Sequence, residues 1–352
     1  MFFTKKSKPV LGIDITATAI KLLELSKSGG KYRIESYSVE PLPANSVVEK
    51  NIADTDAVGE AIGRAVKKSG SRIKDGAAAV AGSAVITKII TMPADISDDD
   101  MESQIQLEAD QYIPFPLEEV NMDFEILGPT EGSEGQVNVL LAASRSENVD
   151  LRIAALEVGG LEAKVVGVEA FALENTVAMM AGDLFSGGED LVIAVADVGS
   201  AVTTFSVLEN LKIIYSREQA FGGAQLTEDI QRRYGLSYEE AGLAKKQGGL
   251  PDNYEPEVLE PFKESMAQQI SRAQKFFFSS SSIAQIDHLI LAGGCASIDG
   301  IAEIVEAAVG IPTIVANPFA NMTLSSRIPV QALSNDAPSL MVSCGLALMS
   351  FD

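Results

Sequence analysis

Two segments of this sequence place an aspartate at the end of an apolar run and follow it with a turn of small or hydroxyl residues. The first contains Asp14, followed by Thr16, Ala17, Thr18 and Lys21. The second contains Asp197, followed by Gly199, Ser200, Ala201 and Thr203. Small residues let a backbone approach a phosphate group, while hydroxyls, N–H groups and a lysine can bind it. The two segments together predict a clamp for a phosphate chain.

A carboxylate at the end of a buried strand needs a compensating cation or hydrogen-bond donors, because an unpaired buried charge destabilises a fold strongly. Asp14 and Asp197 end the apolar runs Val10–Ile13 and Ala194–Ala196. Mg²⁺ prefers carboxylate oxygens and keeps several of its water molecules when it binds a protein. We therefore expect the two aspartates to hold Mg²⁺ through its waters.

A third segment, Leu291–Ser297, ends an apolar strand with Gly293 and Gly294. Because glycine has no side chain, such a pair lets the backbone pack against a flat ring. Each of the three segments also has an ordinary interpretation, since strands often end at aspartate and turns often contain glycine. Their combination in this order is what indicates a nucleotide site.

The elements that carry these segments occur twice in the same order, which predicts a duplicated, two-lobed α/β protein. In the first half we predict a meander over residues 9–40, a helix over 55–69 and a strand over 77–82. In the second half we predict a meander over 191–216, helices over 224–235, 238–247 and 256–278, and a strand over 287–294.

Between the halves, residues 86–165 have no counterpart and are predicted to form an inserted α+β subdomain. Ser97 is a suitable N-cap for a helix over 98–112, and a second helix is predicted over 147–159. Tyr112 and Phe115 follow the first helix. They either line a peptide groove or end the helix by packing on the core of the subdomain.

Composition excludes several classes of protein. The chain carries 27 basic and 49 acidic residues, a net charge of −22, which opposes binding to nucleic acid or anionic lipid. One histidine excludes a His-rich metal site, and two distant cysteines favour a reducing compartment. We found no apolar run long enough for a signal peptide or a membrane helix, so we expect a soluble, cytoplasmic protein.

The three segments and the repeat resemble the nucleotide site of the actin, sugar-kinase and heat-shock-chaperone ATPase superfamily, with its duplicated ribonuclease-H-like fold. The layout is most similar to FtsA, which also has an insertion in its first lobe. Three motifs resemble the PilM family of type IV pilus assembly proteins: Glu108–Glu119 with Asp123, Gln274–Ser282, and Ile286–Gly294.

This resemblance implies an FtsA-like fold, ATP bound between the lobes, and recruitment to the inner-membrane face. It also implies that the cytoplasmic N-terminal segment of PilN docks beside the inserted subdomain. The domains it implies are a first-lobe core (1–85, 166–190 and 340–352), the insertion (86–165), a second-lobe core (191–222 and 279–339) and a helical subdomain over the nucleotide (223–278).

The resemblance also implies a role for each candidate residue. Asp14 and Asp197 would be the magnesium-water ligands, and the residues of the two turns would line the phosphates. Gly222 and Gly223 would start a helix under the nucleotide, and Lys245 would reach the ribose or adenine. Gly293, Gly294 and Ala296 would form the adenosine loop. Glu169 would orient the attacking water, or it is simply an acidic residue at a helix start.

The turns have fewer glycines than those of many relatives, and Gly242 stands where an acidic residue is expected. Phosphoryl transfer depends on positioning, so we expect ATP binding with slow or absent hydrolysis. Two alternatives remain. A small-molecule kinase would need a general base, for which the sequence offers no convincing candidate. A scaffold with a relict site is opposed by the presence of Asp14, Lys21 and Asp197.

Overall fold

The computed structural model describes residues 8–130, 132–185 and 190–351. The strands are β1 (Leu11–Ile15), β2 (Ala19–Ser28), β3 (Lys31–Pro41), β4 (Val47–Val48), β5 (Asn51–Ile52), β6 (Asp75–Val80), β7 (Val85–Pro93), β8 (Val120–Pro129), β9 (Gln136–Arg145), β10 (Glu162–Val168), β11 (Val192–Val198), β12 (Thr203–Glu209), β13 (Lys212–Gln219), β14 (His288–Ala292), β15 (Thr313–Val315) and β16 (Thr323–Leu324). The helices are α1 (Thr55–Ser69), α2 (Asp98–Glu108), α3 (Ser146–Val158), α4 (Glu169–Leu184), α5 (Gly223–Tyr234), α6 (Tyr238–Gln247), α7 (Glu260–Ser280), α8 (Ile301–Val309), α9 (Val330–Asp336) and α10 (Met341–Leu348).

Two sheets that share a five-strand topology form the centres of the two lobes, and the first sheet has the additional edge strand β16. The first has the order β10-β6-β1-β2-β3-β16, and the second has the order β13-β12-β11-β14-β15. In each sheet three antiparallel strands form a meander, and two further strands lie parallel to the first strand of that meander. The predicted repeat is therefore present in the sheet topology as well as in the order of the elements.

The first helix shows how local sequence produces these elements. Asp54 caps α1 by accepting a hydrogen bond from the N–H of Ala57, and Gly70 ends it in the left-handed conformation at φ 69°. Val58 and Ile62 face the first sheet and are fully buried with Leu11 and Ile13 of β1. Capping and apolar spacing agree, and the helix predicted over 55–69 is confirmed.

The inserted sheet has the antiparallel order β7-β9-β8 and packs against α2. Ser97 caps α2 as predicted, but α2 ends at Glu108 and a single 3₁₀ turn follows over Ala109–Gln111. Tyr112 and Phe115 pack against the core of this subdomain. Their packing favours the second of the two interpretations, in which these aromatic residues end the helix.

Helix α3 lies within the range 86–165 that we predict for the insertion, yet it packs in the first lobe. Its Ala155 and Leu156 are fully buried in the core formed by β1, β2 and α1. A Cβ on Gly59 of α1 would lie 2.4 Å from Val158, so the two helices touch closely at this glycine. The inserted sheet itself therefore ends with β9, and α3 returns the chain to the first-lobe core.

Helices α4 and α10 pack together and connect the lobes. A Cβ on Gly345 of α10 would lie 1.7 Å from the carbonyl oxygen of Ala172 in α4, and a Cβ on Gly12 of β1 would lie 2.1 Å from that of Ser343. On the other side of α4, Val177 and Met180 pack against the second sheet. No described helix is both long and apolar enough to cross a membrane.

The predicted domain ranges 1–85, 166–190, 340–352 and 86–165 include some residues outside those described, namely 1–7, 186–189, 352 and 131. The structure describes the remainder of each range.

Candidate functional site

The two aspartate turns have the same backbone geometry, one in each lobe. In the first hairpin Asp14 lies opposite Lys21, and in the second Asp197 lies opposite Thr204. Each turn is closed by a hydrogen bond from its first N–H to its fourth carbonyl: Thr16 to Ala19 at 3.0 Å, and Gly199 to Val202 at 3.1 Å.

The first turn carries its own cation. Lys21 Nζ lies 3.2 Å from Asp14 Oδ2, and Asp14 is only 6% exposed. The hydroxyl of Thr16 donates to the carbonyl of Ala19 at 2.8 Å and accepts from its N–H at 3.1 Å, so this side chain shapes the turn itself. Among the described residues, nothing accepts a hydrogen bond from the N–H of Ala17 or Thr18. These two donors are available to an anion.

The second turn is fastened to the start of α5. The N–H of Gly223 donates to the carbonyl of Gly199 at 3.0 Å, and that of Ala224 donates to Ser200 at 2.8 Å. A Cβ on Gly222 would lie 2.4 Å from the Ser200 oxygen, which explains why glycine precedes the helix. In the described part of the chain, the N–H groups of Ser200 and Ala201 have no acceptor. Thr203 is fully buried, and its hydroxyl donates to the carbonyl of Phe221 at 2.9 Å.

The glycine loop after β14 lies directly beside the second turn. Gly293 has φ 85°, and a Cβ there would lie 2.5 Å from Asp197 Oδ1 and 2.3 Å from the carbonyl oxygen of Val198. Gly294, in contrast, faces open space, with no atom within 4 Å of its Cβ position. Ala296 follows in the same 3₁₀ turn and is buried. The loop therefore leaves room for a flat ring, such as a nucleotide base, beside Gly294. At Gly293 the loop packs closely against Asp197.

Lys245 of α6 reaches back to the first turn of α5. Its Nζ donates to the carbonyl of Gly223 at 2.8 Å and to the hydroxyl of Thr227 at 2.6 Å. Burial lowers the pKa of Lys245, and burial also raises the pKa of the neighbouring Cys295 thiol to about 11. The thiol therefore stays neutral, and Lys245 is the basic residue on this side of the site.

The aspartates of the two turns influence each other electrostatically across the junction of the lobes. Burial raises the pKa of Asp197, and the nearby carboxylate of Asp14 raises it further, while Lys21 and Lys50 oppose the change. One aspartate from each lobe thus lies within electrostatic reach of the other. Such a pair is stabilised by positive charge, part of which Lys21 and Lys50 supply, and a hydrated cation would add to it.

Glu169 begins α4 and makes an ion pair that sequence reasoning did not anticipate. Its Oε2 lies 2.8 Å from Nζ of Lys50, which also lies 2.8 Å from Glu218 Oε1 and donates to Thr204 Oγ1 at 3.3 Å. Burial raises the pKa of Glu169, and Lys50 opposes that shift. Burial lowers the pKa of Lys50, but attraction to Glu169 and Glu218 outweighs it, so the net change is upward. The lysine is charged and joins the two lobes.

Lys50 was missed because it lies in a two-residue turn between β4 and β5, and a lysine in such a turn is usually exposed to solvent. Glu49 and Lys50 have φ values of 49° and 64°, typical of a tight hairpin. The sequence gives only an indirect indication of this lysine. A lysine lies opposite Asp14 but a threonine lies opposite Asp197, so a lysine beside the second hairpin has to come from elsewhere in the chain.

The structure brings together the predicted second-lobe site residues: the second turn, Gly222 and Gly223 at the start of α5, Lys245 and the glycine loop. The first turn lies in the other lobe, and Lys50 links that lobe to Thr204. The donor set fits a nucleotide with its phosphates: free N–H groups in both turns, an open space beside Gly294, and three lysines (Lys21, Lys50 and Lys245) in a protein of net charge −22. No cluster of three or more metal-binding side chains occurs among the described residues. A cation here would therefore depend on Asp14, Asp197 and its own waters.

Two sheets that share a five-strand topology, each with an aspartate turn, define a protein of the actin-like class. A family model for type IV pilus assembly protein PilM matches residues 12–351, and the chain belongs to this family. The solved structure of a PilM-PilN type IV pilus biogenesis complex is similar, with 27% identity over 98% of this chain and 99% of that chain, and a TM-score of 0.79.

The ethanolamine utilization protein EutJ from Carboxydothermus hydrogenoformans shares the fold. Its identity is 17% over 97% of this chain and 89% of that chain, with a TM-score of 0.57. The predicted membership of the PilM family and the predicted two-lobed actin-like fold are both confirmed.

Proposed function

We propose that this protein binds ATP with Mg²⁺ between its lobes and docks the cytoplasmic N-terminal segment of PilN, so that nucleotide state influences assembly of the pilus machine. The observation that carries the proposal is the pair of turns, each with an aspartate and two N–H groups that lack an acceptor among the described residues. PilN is proposed as the partner because the similar solved structure is a PilM-PilN complex.

In this proposal each group of residues has a distinct task. Asp14 and Asp197 hold Mg²⁺ through water, and the metal would neutralise phosphate charge. Thr16, Ala17, Thr18 and Lys21 line one side of the phosphates, and Gly199, Ser200 and Ala201 line the other. Thr203, which we predicted to line the phosphates as well, is fully buried and binds the carbonyl of Phe221, so it supports the second turn from behind. Gly222 and Gly223 present the start of α5, Lys245 lies on the ribose or adenine side, and Gly293, Gly294 and Ala296 form the adenosine loop.

Slow or absent hydrolysis is part of the proposal. Glu169 is the carboxylate available to orient a water molecule, but its Oε2 is held at 2.8 Å by Lys50. A carboxylate with a lysine partner is a weaker hydrogen-bond acceptor for water than a free one. The protein acts in the cytoplasm and reaches the inner-membrane face through its partner.

The nucleotide part is tested by calorimetry with Mg-ATP. We expect Asp14→Ala and Gly223→Leu to abolish measurable ATP binding while the thermal unfolding transition remains, because one removes a metal ligand and the other fills the space beside Cys295 Sγ and Lys245. Asp229→Ala, on the exposed part of α5, is the matched control and should bind normally. Normal affinity in both site variants would refute the assignment.

The partner part is tested with a synthetic peptide of the PilN N-terminal segment. The proposed insertion includes α3, but α3 belongs to the first-lobe core, so a deletion must end before it. Val85 and Ser144 are cross-strand neighbours, so a short glycine linker can replace residues 86–143. We expect this variant to remain folded and to lose micromolar peptide binding. Retained binding in a folded deletion variant would place the partner elsewhere.

A further inference from the structure

The two aspartate hairpins differ in the residue that faces the aspartate. The first hairpin has Lys21, which pairs with Asp14 across the strands, whereas the second has Thr204 opposite Asp197. The second turn therefore receives no lysine from its own hairpin. Lys50, which comes from the first lobe, places its ammonium 3.3 Å from the hydroxyl of Thr204.

The position of Lys50 is held by the surrounding structure. Arg152 of α3 is 3% exposed, and its guanidinium donates to the carbonyl of Lys50 at 3.1 Å and also to the carbonyls of Ala79 and Asn148. Glu49 and Lys50 both adopt positive φ, a conformation that is unfavourable for residues other than glycine. A lysine that served only as a solvated turn residue would not require a buried arginine to fasten it.

The strand order shows where along the site this ammonium lies. Gly293 follows β14, Asp197 is near the end of β11, Thr204 is on β12 and Glu218 is on β13, and these strands are consecutive neighbours in the sheet. Adjacent strands are about 4.8 Å apart, so Lys50 lies roughly 10 Å or more from the glycine loop along the sheet. A phosphate chain that starts at the glycine loop and passes Asp197 reaches Lys50 last.

We propose that Lys50, whose ammonium lies beside Thr204 of the second hairpin, contacts the terminal phosphate of the bound nucleotide, so that the site selects a nucleoside triphosphate over a diphosphate. This inference rests on the proposed nucleotide function. In the structure, Lys50 is shared between Glu169 of the first lobe and Glu218 of the second. The terminal phosphate takes the place of Glu218, and Glu169 keeps its ion pair within the first lobe.

The test is the ratio of ATP to ADP affinity, measured by calorimetry with Mg²⁺ on the full chain. Lys50→Met should weaken ATP binding at least about tenfold and ADP binding by less than about threefold, because one charge-assisted contact is lost only with the triphosphate. Lys50→Arg should retain the preference for ATP. Glu218→Gln should strengthen ATP binding, since it removes a carboxylate that competes for the lysine and repels the phosphate. Lys164→Met, at an exposed ion pair, is the matched control.

The outcomes separate this inference from the function on which it rests. If the wild-type protein binds both nucleotides and Lys50→Met leaves the ATP-to-ADP ratio unchanged, Lys50 is only a structural link between the lobes and the inference is overturned. If Glu218→Gln weakens ATP and ADP binding equally, the exchange of Glu218 for phosphate is also wrong. If the wild-type protein binds neither nucleotide, the proposed function fails, and the inference fails with it.

Discussion

The first and second aspartate hairpins have the same backbone geometry, but the lysine beside each hairpin comes from a different part of the chain. Lys21 lies seven residues after Asp14 and pairs with it inside one hairpin. At the matching place, Thr204 is approached by Lys50, which is 154 residues away in sequence and belongs to the other lobe. The geometry of the turn is thus the same in both lobes, whereas the position of the lysine in the chain differs. The first turn is complete within its lobe, whereas the second depends on contact between the lobes.

A second difference lies two residues before each aspartate. Gly12 in β1 touches the backbone of α10 near Ser343, and Val195 in β11 packs in the core beside α4. The helix lies closer to the sheet in the first lobe, and only glycine fits there. Equivalent strands in the two lobes therefore tolerate different side chains.

The largest effect that we expect comes from making the first lobe resemble the second at this position. Gly12→Val should destabilise the protein by at least about 3 kcal/mol, because the new side chain meets backbone atoms that cannot move independently. Urea denaturation measures the change. Val195→Ala is the paired control, and the small cavity it leaves should cost about 2 kcal/mol. Equal stability of Gly12→Val and wild type would show that the helix can shift freely.

An intermediate effect is expected from removing the local lysine of the first hairpin. Lys21→Met leaves the carboxylate of Asp14 buried without its partner, and we expect a loss of about 2–3 kcal/mol in the free energy of unfolding. Arg232→Met breaks an exposed pair with Asp229 and should cost less than about 0.5 kcal/mol. The same denaturation experiment compares both variants. If Lys21→Met lowers the free energy of unfolding no more than Arg232→Met does, Asp14 does not depend on the lysine of its own hairpin.

The smallest effect should come from giving the second hairpin a lysine of its own. In the Lys50→Met background, Thr204→Lys places an ammonium opposite Asp197, as Lys21 lies opposite Asp14. We expect it to recover about threefold of the lost ATP affinity, because the geometry of the two hairpins is the same but the new lysine lacks its neighbours. Calorimetry compares the ATP affinity of the double variant with that of Lys50→Met alone. No recovery at all would mean that the two positions are not equivalent in function.

Sequence reasoning predicted the parts of the fold that depend on local pattern. The helix over 55–69 has apolar spacing and caps, and the two aspartate turns follow continuous apolar strands, so neither requires knowledge of distant residues. Family motifs in Glu108–Glu119 and Ile286–Gly294 then indicated the class of protein. These features are encoded within short stretches of chain.

The rest could not be predicted because it depends on which surfaces meet. Helix α3 was expected from its sequence, but its packing on α1 requires the close approach at Gly59, and a glycine in a helix does not reveal its neighbour. Lys50 was missed for a similar reason. Its importance comes from Arg152, Glu169 and Glu218, which converge on it from three separate segments.

The packing of α10 on β1 has a consequence for how this protein is made. Ribosomes deliver the chain from the N-terminus, and β1 emerges among the earliest elements, yet the helix that covers Gly12 is the last described helix to be synthesised. The second sheet, β11 to β15, is contiguous in sequence and can assemble before that helix emerges. The first-lobe core is therefore completed after the second sheet, and until α10 is made the face of β1 that it covers stays uncovered.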